Sequence, residues 1–240
     1  MSVVKHFSPA VVLVMIFTAH MPSVQAADDA AESAEPNTLT AKEKADGWKL
    51  LFNGKNTDGW RKYRGKEIGS GWKIEDGALC RAGDGAGDIV TAEQYDSFEL
   101  VLDYRISKGG NSGLIFHVTE DEGAPWMTGP EIQIQDNKDG HDPQKSGWLY
   151  QLYPAKSDAT KPAGEWNRLR VLISPQKCET YLNGVKYNEY VKGSKDWDER
   201  VAKSKFGSMP KFGKATKGYL CLQDHGNAVC FRNIKLRPIK

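Results

Sequence analysis

The stretch ETYLNGVKYNEY, residues 179–190, decides the fold class because it predicts a β-hairpin. Its central Asn183-Gly184 tolerates the positive φ angles of a type I′ turn, the tight turn that best joins two antiparallel strands. Two other segments alternate apolar and polar side chains, as half-buried strands do: SFELVLDYRI at 97–106 and NRLRVLIS at 167–174. The chain is therefore predicted to be built mainly from antiparallel strands.

Further turn signals extend this pattern to both ends of the chain. GWKIEDGALCR at 71–81 predicts a strand pair around its Asp-Gly dipeptide. Near the end, residues 218–223 and 228–236 are strand-like, and the DHGN sequence at 224–227 predicts a tight turn between them. We expect these two strands to form a hairpin.

Helical signals are confined to two short stretches. Thr40 and Glu43 form a capping box for a turn at 41–45, and residues 196–206 have enough helix-forming residues for two or three turns. Many short strands with Gly-rich turns are typical of a sandwich or jelly roll. The predicted fold is all-β, with two antiparallel sheets and one or two short helices.

The N-terminus has the order of a secretory signal peptide, residues 1–26. Lys5 precedes an apolar run at 10–17, and Val24-Gln25-Ala26 forms a small-residue cleavage site. The alternative is an uncleaved membrane anchor, although the run is far shorter than the roughly 20 residues of a spanning helix. We predict a secreted or periplasmic protein.

The mature chain predicted in this way is nearly neutral. Residues 27–39 are polar and Ala-rich and indicate a flexible linker, which leaves a domain at 40–240. Removal of the signal peptide deletes one basic residue, Lys5, so the formal net charge falls from +2 to +1. The chain has no basic stripe and no later apolar run of spanning length. We therefore expect no nucleic-acid partner and no membrane span after cleavage.

Four cysteines, Cys80, Cys178, Cys221 and Cys230, allow three disulfide pairings in an oxidising compartment. If the turn at 224–227 joins two paired strands, Cys221 lies directly opposite Cys230. Directly opposed residues can lie close enough for a disulfide. The sequence thus predicts a bridge between Cys221 and Cys230, with two unlinked buried thiols as the alternative, and it leaves the other two cysteines unassigned.

A candidate binding surface follows from GPEIQIQDN, residues 129–137. Side chains alternate along a strand, so Ile132 and Ile134 point to one face while Glu131, Gln133 and Gln135 point to the other. One acid and two amides in a row suit a ligand rich in hydroxyl groups. The spacing is similar to the Glu-x-Asp-x-Glu strand of β-sandwich glucanases of the laminarinase and lichenase kind. Double-displacement hydrolysis needs two carboxyls roughly 5–5.5 Å apart, and this strand has one.

Several stretches, in order, resemble the 3-keto-disaccharide hydrolase family, also described as 3-keto-glucoside 1,2-lyase or 3-keto-2-hydroxy-glucal hydratase domains. They are GWKLLFNGKNTDGW (47–60), GGNSGLIFHV (109–118), TGPEIQIQDN (128–137), GWLYQLYP (147–154), GEWNRLRV (164–171), YLNG (181–184), SKF (204–206) and YLCLQDHGNAVCFRNIKL (219–236). The resemblance implies a concanavalin A-like jelly roll.

It also implies a route of bond cleavage. In this family a partner sugar 3-dehydrogenase first oxidises C3, a base then removes the C2 proton, and the C1 substituent leaves by elimination. Addition of water to the product makes the sum a hydrolysis. Such chemistry needs a base, donors to the enolate oxygen and help for the leaving group. No cofactor is implied, and a divalent cation is left open.

The residues that could carry this chemistry fall into two groups. Candidate catalytic residues are Glu131 as a base, His225 because histidine titrates near neutrality, and His117 because it shares strand parity with the polar face. Candidate substrate-binding residues are Gln133, Gln135, Gln223, Asn111, His141 with its neighbour Asp142 at a rim, Tyr150 and Trp126. Each of them has a structural alternative, such as a solvated turn for His225 or core packing for the aromatic rings.

Two other function classes compete with an enzyme. The same polar strand would suit a non-catalytic carbohydrate-binding module, and an exposed sandwich edge with its acidic linker would suit a protein-interaction domain. The family resemblance favours the enzyme that cleaves 3-keto-glycosides.

Overall fold

The computed structural model describes Met1 and residues 35–239. Apart from Met1, the predicted signal peptide lies outside the described residues, and so does most of the predicted linker. The described chain forms α1 (Ala41–Ala45), β1 (Lys49–Leu50), β2 (Trp60–Lys62), β3 (Trp72–Glu75), β4 (Ala78–Arg81), β5 (Ile89–Thr91), β6 (Phe98–Ile106), β7 (Asn111–Val118), β8 (Glu131–Gln135), β9 (Asn167–Ile173), β10 (Cys178–Leu182), β11 (Val185–Tyr190), α2 (Lys195–Lys203), β12 (Tyr219–Leu222) and β13 (Val229–Pro238). In this part of the chain no helix is long and apolar enough to cross a membrane.

The strands form two antiparallel sheets. The larger sheet has the order β11-β10-β9-β6-β13-β4-β3, with β1 added to β13, and the smaller sheet has the order β2-β5-β12-β7-β8. This arrangement confirms the predicted all-β sandwich with short helices. Neighbours in each sheet are often distant in sequence, as the jelly-roll class requires.

The core lies between the two sheets and follows the predicted alternation. Leu100 and Leu102 of β6 are fully buried against the inner face of the smaller sheet, which contributes Ile132 and Ile134 of β8. The polar neighbours of these residues therefore point away from the core. For β8, that outward face is the one that carries Glu131 and Gln133.

Most of the predicted strands are confirmed. The hairpin at 178–190 turns at Asn183 and Gly184 with φ angles of 48° and 79°, as a type I′ turn needs. The pair at 72–81 turns at Asp76 and Gly77 in the same way. Helix α1 begins at the predicted capping box, and α2 is followed by a 3₁₀ turn at Lys205–Ser208.

The predicted hairpin across residues 224–227 is wrong. β12 lies in the smaller sheet and β13 lies in the larger one, so the turn carries the chain from one sheet to the other. Tight-turn residues suit both connections equally, and the sequence of the turn does not distinguish them.

The predicted disulfide between Cys221 and Cys230 is wrong for the same reason. Cys230 of β13 lies directly opposite Cys80 of β4, and these two sulfur atoms are bonded. Cys221 pairs across its strand with Ile115 and Val90 and remains a buried free thiol, as does Cys178. Because β12 and β13 belong to different sheets, their cysteines are not opposite each other.

The folded part begins before Thr40, within the predicted linker. The Asn37 backbone N–H donates to Asn233 Oδ1 at 2.6 Å, and the Asn37 side chain donates to the Gly77 carbonyl at 2.8 Å. Asn37 is buried, and these bonds attach it to β13 and to the β3–β4 turn. Contacts of the folded domain therefore extend to Asn37, within the segment predicted as a linker.

Candidate functional site

A cleft of about 250 Å³ opens on the face of the smaller sheet that is turned away from the core. Its lining side chains are Asn111, Trp126, Glu131, Gln133, Asp142, Tyr150, Lys205, Gln223 and His225. They come from β7, β8, the end of β12 and four connecting segments. Eight of the nine, all except Lys205, are singled out from the sequence as candidates, Asp142 only as the neighbour of His141.

Strand register places the polar side chains on one face. Gly113 of β7 lies opposite Gln133 of β8, and Ile115 lies opposite Glu131. Directly opposed residues of an antiparallel pair project to the same side of the sheet. Glu131 and Gln133 therefore share the cleft face, as the alternation along the strand predicts.

Gly113 makes room for the Glu131 carboxyl group. A Cβ atom at position 113 would lie only 2.9 Å from Glu131 Cγ and Cδ, and closer still to Oε1. The Glu131 side chain thus crosses the neighbouring strand over a residue that has no side chain. The backbone N–H of Gln223 donates to the Gly113 carbonyl at 3.0 Å, which brings Gln223 beside the same carboxyl group.

Glu131 is a buried acid without a cationic partner. Its side chain is 6% exposed, and none of the described lysines, arginines or histidines forms an ion pair with it. Burial is the main reason that the pKa of Glu131 is raised to about 8; Lys205 lowers it, while the carboxylates of Asp142 and Asp88 raise it. At pH 7 the carboxyl group is therefore mostly neutral, and it becomes a base when it loses its proton.

Apolar side chains at the floor of the cleft make ionisation of the Glu131 carboxyl group unfavourable. Val90, Ile115 and Cys221 are fully buried neighbours on the cleft side of the smaller sheet, and Tyr63 and Val118 pack against them. These groups supply no hydrogen bond that would stabilise a carboxylate. Charging the carboxyl group beside them is unfavourable, which is the usual way in which a buried acid acquires a high pKa.

Amide oxygens in the cleft have no hydrogen-bond partner in the described structure. Asn111 Oδ1, Gln133 Oε1 and Gln223 Oε1 are all buried and without one. Buried acceptors are normally paired, because leaving one unpaired costs about 1–3 kcal/mol. Three such acceptors around one cavity fit a ligand that carries several hydroxyl donors.

Aromatic rings and charges form one wall of the cleft. Lys205 Nζ lies 4.3 Å from the ring centroid of Tyr150 and 5.3 Å from that of Trp126. The Tyr150 hydroxyl donates to Asp142 Oδ2 at 2.7 Å, and the Gln144 N–H donates to the other oxygen of Asp142 at 2.8 Å. The rings are half-buried and present surfaces on which the C–H side of a sugar can stack.

His225 reaches the cleft from the loop that changes sheets. Its side chain is exposed, and the loop is held by Asp224, which accepts from Arg81 Nε and from the Gly87 N–H, both at 2.7 Å. These contacts fix the start of the loop on the side of β4 and β5. His225 therefore lies at the entrance of the cleft, and Glu131 lies at its floor.

Gln135 and His141 do not line the cleft. Gln135 is on the same strand face as Glu131, but its amide donates to the carbonyls of Asp142 at 3.1 Å and Gln144 at 2.6 Å. The loop that follows β8 folds over this end of the strand, so Gln135 holds that loop in place. His141 is exposed on the loop, and its neighbour Asp142 is the one that points into the cleft.

His117 is also outside the cleft, because the strand is irregular at this point. The register between β7 and β12 shifts between Tyr219 and Cys221, and His117 has a φ angle of 53°. The shift breaks the alternation, so Val118 takes the cleft side and His117 turns toward Phe98.

There the imidazole of His117 is held as a neutral group. Lys192 Nζ donates to Nδ1 at 3.0 Å, so Nε2 carries the proton and donates to the Asp96 carbonyl at 2.7 Å. Burial, followed by the charge of Lys192, lowers the pKa of His117 to about 4. A ring with both nitrogens occupied and no access to the cleft has a structural role.

Lys205 is the cleft residue that the sequence reasoning misses. It belongs to the SKF stretch at 204–206, which is part of the family resemblance, but that stretch lies at the end of a predicted helix. The 3₁₀ turn after α2 returns the side chain over Tyr150, and its backbone N–H donates to Gln151 Oε1 at 3.0 Å. This contact, between residues 54 apart in the chain, helps to place Lys205 in the site.

The described residues include one group of His, Cys, Asp and Glu side chains close enough together to share a metal ion. It consists of Glu75, Cys80 and Cys230, and its two sulfur atoms are bonded to each other. A disulfide sulfur is not a thiolate ligand. This group lies in β3, β4 and β13 and takes no part in the cleft.

The family model described as a 3-keto-alpha-glucoside-1,2-lyase-like domain matches residues 47–237. The chain belongs to this family. A 3-keto-disaccharide hydrolase of Bacteroides thetaiotaomicron is 32% identical over 245 residues, covering 87% of this chain and 84% of the relative. These two comparisons confirm the predicted family, and with it the prediction of an enzyme that acts on glycosidic bonds.

Solved structures show the same relationship. A candidate glycosyl hydrolase from Parabacteroides distasonis superimposes with a TM-score of 0.81 at 38% identity, covering 86% of this chain and 100% of that chain. A second candidate glycosyl hydrolase from that organism has a TM-score of 0.61 at 29% identity, covering 80% of this chain and 99% of that chain.

Proposed function

We propose that this protein cleaves 3-keto-glycosides by base-assisted elimination, followed by addition of water, and that Glu131 is the base. The family supports a glycosidic-bond substrate, and the Bacteroides thetaiotaomicron relative is a 3-keto-disaccharide hydrolase. The observation that carries the proposal is the state of Glu131: a buried carboxyl group with no cationic partner and a pKa of about 8, at the floor of a cleft. Bases that remove a proton near neutrality are tuned in this way.

The chemistry balances without an external oxidant. Glu131 takes the proton from C2, and the electron pair of that C–H bond forms an enolate whose negative charge lies on the C3 oxygen. The pair then returns, the C3 carbonyl reforms, a C1–C2 double bond appears and the C1–O bond breaks. The leaving oxygen takes up a proton, for which His225 at the cleft entrance is the candidate donor. Water that adds to the double bond completes a net hydrolysis.

The amide groups would hold the sugar during these steps. Asn111, Gln133 and Gln223 present acceptors without partners to the cleft, and a pyranose carries hydroxyl donors on successive carbons. Tyr150 and Trp126 provide aromatic surfaces at the opposite wall. Binding through hydroxyl groups and ring stacking would fix the C2–H bond relative to Glu131, and such positioning contributes several kcal/mol to catalysis.

A two-carboxylate glycosidase mechanism is disfavoured by the bonding of Asp142. Besides Glu131, Asp142 is the acid that lines the cleft, and both of its oxygens already accept hydrogen bonds, from Tyr150 and Gln144. Asp142 is the acceptor in both hydrogen bonds, so it anchors the Tyr150 ring and the loop at Gln144. Elimination next to a ketone requires one base, and Glu131 meets that requirement by itself.

The test compares two sugars with one enzyme. Purified protein is mixed with a 4-nitrophenyl 3-keto-glucoside and with the matching unoxidised glucoside, and release of 4-nitrophenol is followed by absorbance. We expect turnover of the ketone only, and a loss of about 10³-fold in Glu131→Gln, which keeps the size of the side chain but removes the base. Binding of the plain glucoside without turnover of the ketone would instead indicate a carbohydrate-binding module.

The preceding oxidation and the location of the enzyme complete the proposal. A 3-keto substrate requires a sugar 3-dehydrogenase acting earlier, which is the functional partner that we propose. Export is supported by the signal-like sequence at residues 1–26 and by the disulfide between Cys80 and Cys230, because disulfides persist mainly in oxidising compartments. Cell fractionation with an antibody against the domain, and N-terminal sequencing of the mature chain, test this part.

A further inference from the structure

Lys205 stands out in the cleft because its charge is not neutralised. It is the one lysine or arginine among the lining residues, and the described structure gives it no ion pair with a carboxylate. An ammonium group in a cleft that also contains Glu131 and Asp142 could have paired with either. Instead its nearest contacts are the faces of aromatic rings.

These rings position the ammonium group of Lys205, and they do not neutralise its positive charge as a carboxylate would. Lys205 Nζ lies 4.3 Å from the Tyr150 centroid, 5.3 Å from that of Trp126 and 5.1 Å from that of Phe206. A cation over an aromatic face is attracted by the ring quadrupole and keeps its N–H donors available. Tyr150 is itself fixed by its hydrogen bond to Asp142, so the wall under Lys205 is anchored.

The backbone of Lys205 is fixed as well. Its N–H donates to Gln151 Oε1, and the following residue, Phe206, is fully buried and stacks on Phe212 with centroids 3.9 Å apart. The side chain therefore starts from a rigid turn and extends across the wall of the cleft. A preorganised charge of this kind does not have to rearrange as the reaction proceeds.

We infer that Lys205 is the oxyanion-stabilising residue of the site, and that its ammonium group donates to the C3 oxygen as negative charge develops there. This inference rests on the proposed function, since only removal of a proton next to a ketone creates that charge. The roles of the two ionisable groups are then complementary: Glu131 receives the proton, and Lys205 balances the charge that the proton leaves behind.

The test isolates proton removal from bond cleavage by using 1,5-anhydro-3-keto-glucitol, a ketone without a leaving group at C1. In D₂O, exchange of its C2 proton is followed by proton NMR. We expect catalysed exchange by the wild type and a loss of about 10²–10³-fold in Lys205→Met, the usual cost of removing one donor to an oxyanion. Lys205→Arg should recover at least tenfold of that loss, and affinity for the ketone, measured by calorimetry, should change less than threefold.

Lys203→Met is the matched control, because Lys203, like Lys205, is an exposed lysine of this segment, but it lies at the end of α2 and outside the cleft. Exchange by Lys205→Met within threefold of the wild type would overturn the inference, and so would equal losses of affinity and exchange, which would make Lys205 a binding residue. If exchange is lost in Glu131→Gln but kept in Lys205→Met, the inference alone fails. If the wild type shows no exchange, or Glu131→Gln retains it, the proposed function fails as well.

Discussion

Two buried glutamates on the outer faces of the two sheets show what distinguishes a structural acid from a candidate base. Glu99 of β6 is 3% exposed, and Glu131 of β8 is 6% exposed. Glu99 lies between Arg170 and Arg237, with nitrogen–oxygen distances of 2.6 Å to each. Glu131 has no such partner in the described structure. Both acids are therefore buried, and the absence of a compensating positive charge is what distinguishes Glu131 as a candidate base.

The surroundings of the two acids differ in the same way. On the larger sheet Asp103, on the same face of β6 as Glu99, accepts from Arg168 at 2.9 Å and from Asn233 at 2.7 Å, so both acids on this outer face have cationic partners. On the smaller sheet the cleft contains amide oxygens without partners. Acids that are paired with cations have little left to offer a ligand, whereas the cleft has acceptors without partners and a lysine without an ion pair in the described structure.

The largest expected effect comes from exchanging each glutamate for glutamine. Glu99→Gln removes the charge between two arginines and should destabilise the fold by about 2–3 kcal/mol, with turnover per folded molecule unchanged. Glu131→Gln should lower turnover about 10³-fold without destabilising the fold at pH 8. Urea unfolding and the 4-nitrophenol assay on both variants check this contrast. A Glu131→Gln variant that is as unstable as Glu99→Gln would make Glu131 a structural acid.

A second change disturbs the position of Glu131 and leaves the carboxyl group itself intact. Gly113→Ala places a methyl group where the carboxyl group lies, and the flexible end of Glu131 is what must move. We expect turnover to fall about 10²-fold, because misplacement of a reacting group by about 1 Å costs that much. Stability should change by less than about 1 kcal/mol, because the glycine has ordinary strand geometry. Gly83→Ala, where a Cβ atom would meet nothing within 4 Å, is the control.

The contrast between the two faces also shows how far the sequence reaches. Alternation within a strand is a local property, so the outward direction of Glu131 and Gln133 and the type I′ turn at Asn183-Gly184 can be predicted from the residues. The destination of a strand is not local. The turn at 224–227 has the composition of a hairpin but joins two sheets, which is why the predicted pairing of Cys221 with Cys230 fails.

Two site residues mark the same limit. By alternation along the strand, His117 should lie on the cleft face. Its own φ angle of 53° breaks that alternation, and the residue type does not predict this irregularity. Lys205 enters the cleft through a 3₁₀ turn that packs Phe206 into the core, a contact between segments far apart in the chain. Position on a regular strand thus predicts which face a residue takes, whereas the positions of His117 and Lys205 depend on irregular or long-range structure.

A smaller effect, about tenfold in kcat/KM per pH unit, is expected from the titration of Glu131. If Glu131 acts as a base with a pKa of about 8, kcat/KM should rise with pH up to about 8 and then level off. Stability should change in the opposite direction. Between pH 4.5 and about 8 the unfolded chain has lost this proton while the folded chain keeps it, so the raised pKa makes the fold less stable as pH rises, by up to about 1.4 kcal/mol per unit.

The same titration has a built-in control. Glu131→Gln should remove this pH dependence of unfolding and become more stable than the wild type above pH 8. Activity that falls as pH rises from 6 to 8 would mean that Glu131 acts as a proton donor in its neutral form.

The smallest effect is expected at His117, the candidate that the irregular strand moves out of the cleft. His117→Gln keeps a donor for the Asp96 carbonyl, so turnover per folded molecule at pH 7.5 should stay within about threefold of the wild type. In the wild type the pKa of His117 is lowered to about 4, so the substitution should change the stability of the fold instead. Between about pH 6.5 and 4 the unfolded histidine binds a proton that the folded one refuses, so the wild type loses stability as pH falls through this window.

The glutamine variant has no such group and should show a flatter acid limb in thermal melts from pH 4 to 7. His225→Gln serves as the comparison for turnover, because that side chain lies at the cleft entrance and its loss should lower turnover. If His117→Gln instead lowers turnover 10²-fold with an unchanged melting profile, the structural role inferred from the two hydrogen bonds of His117 is wrong. His117 would then take part in catalysis although it does not line the cleft.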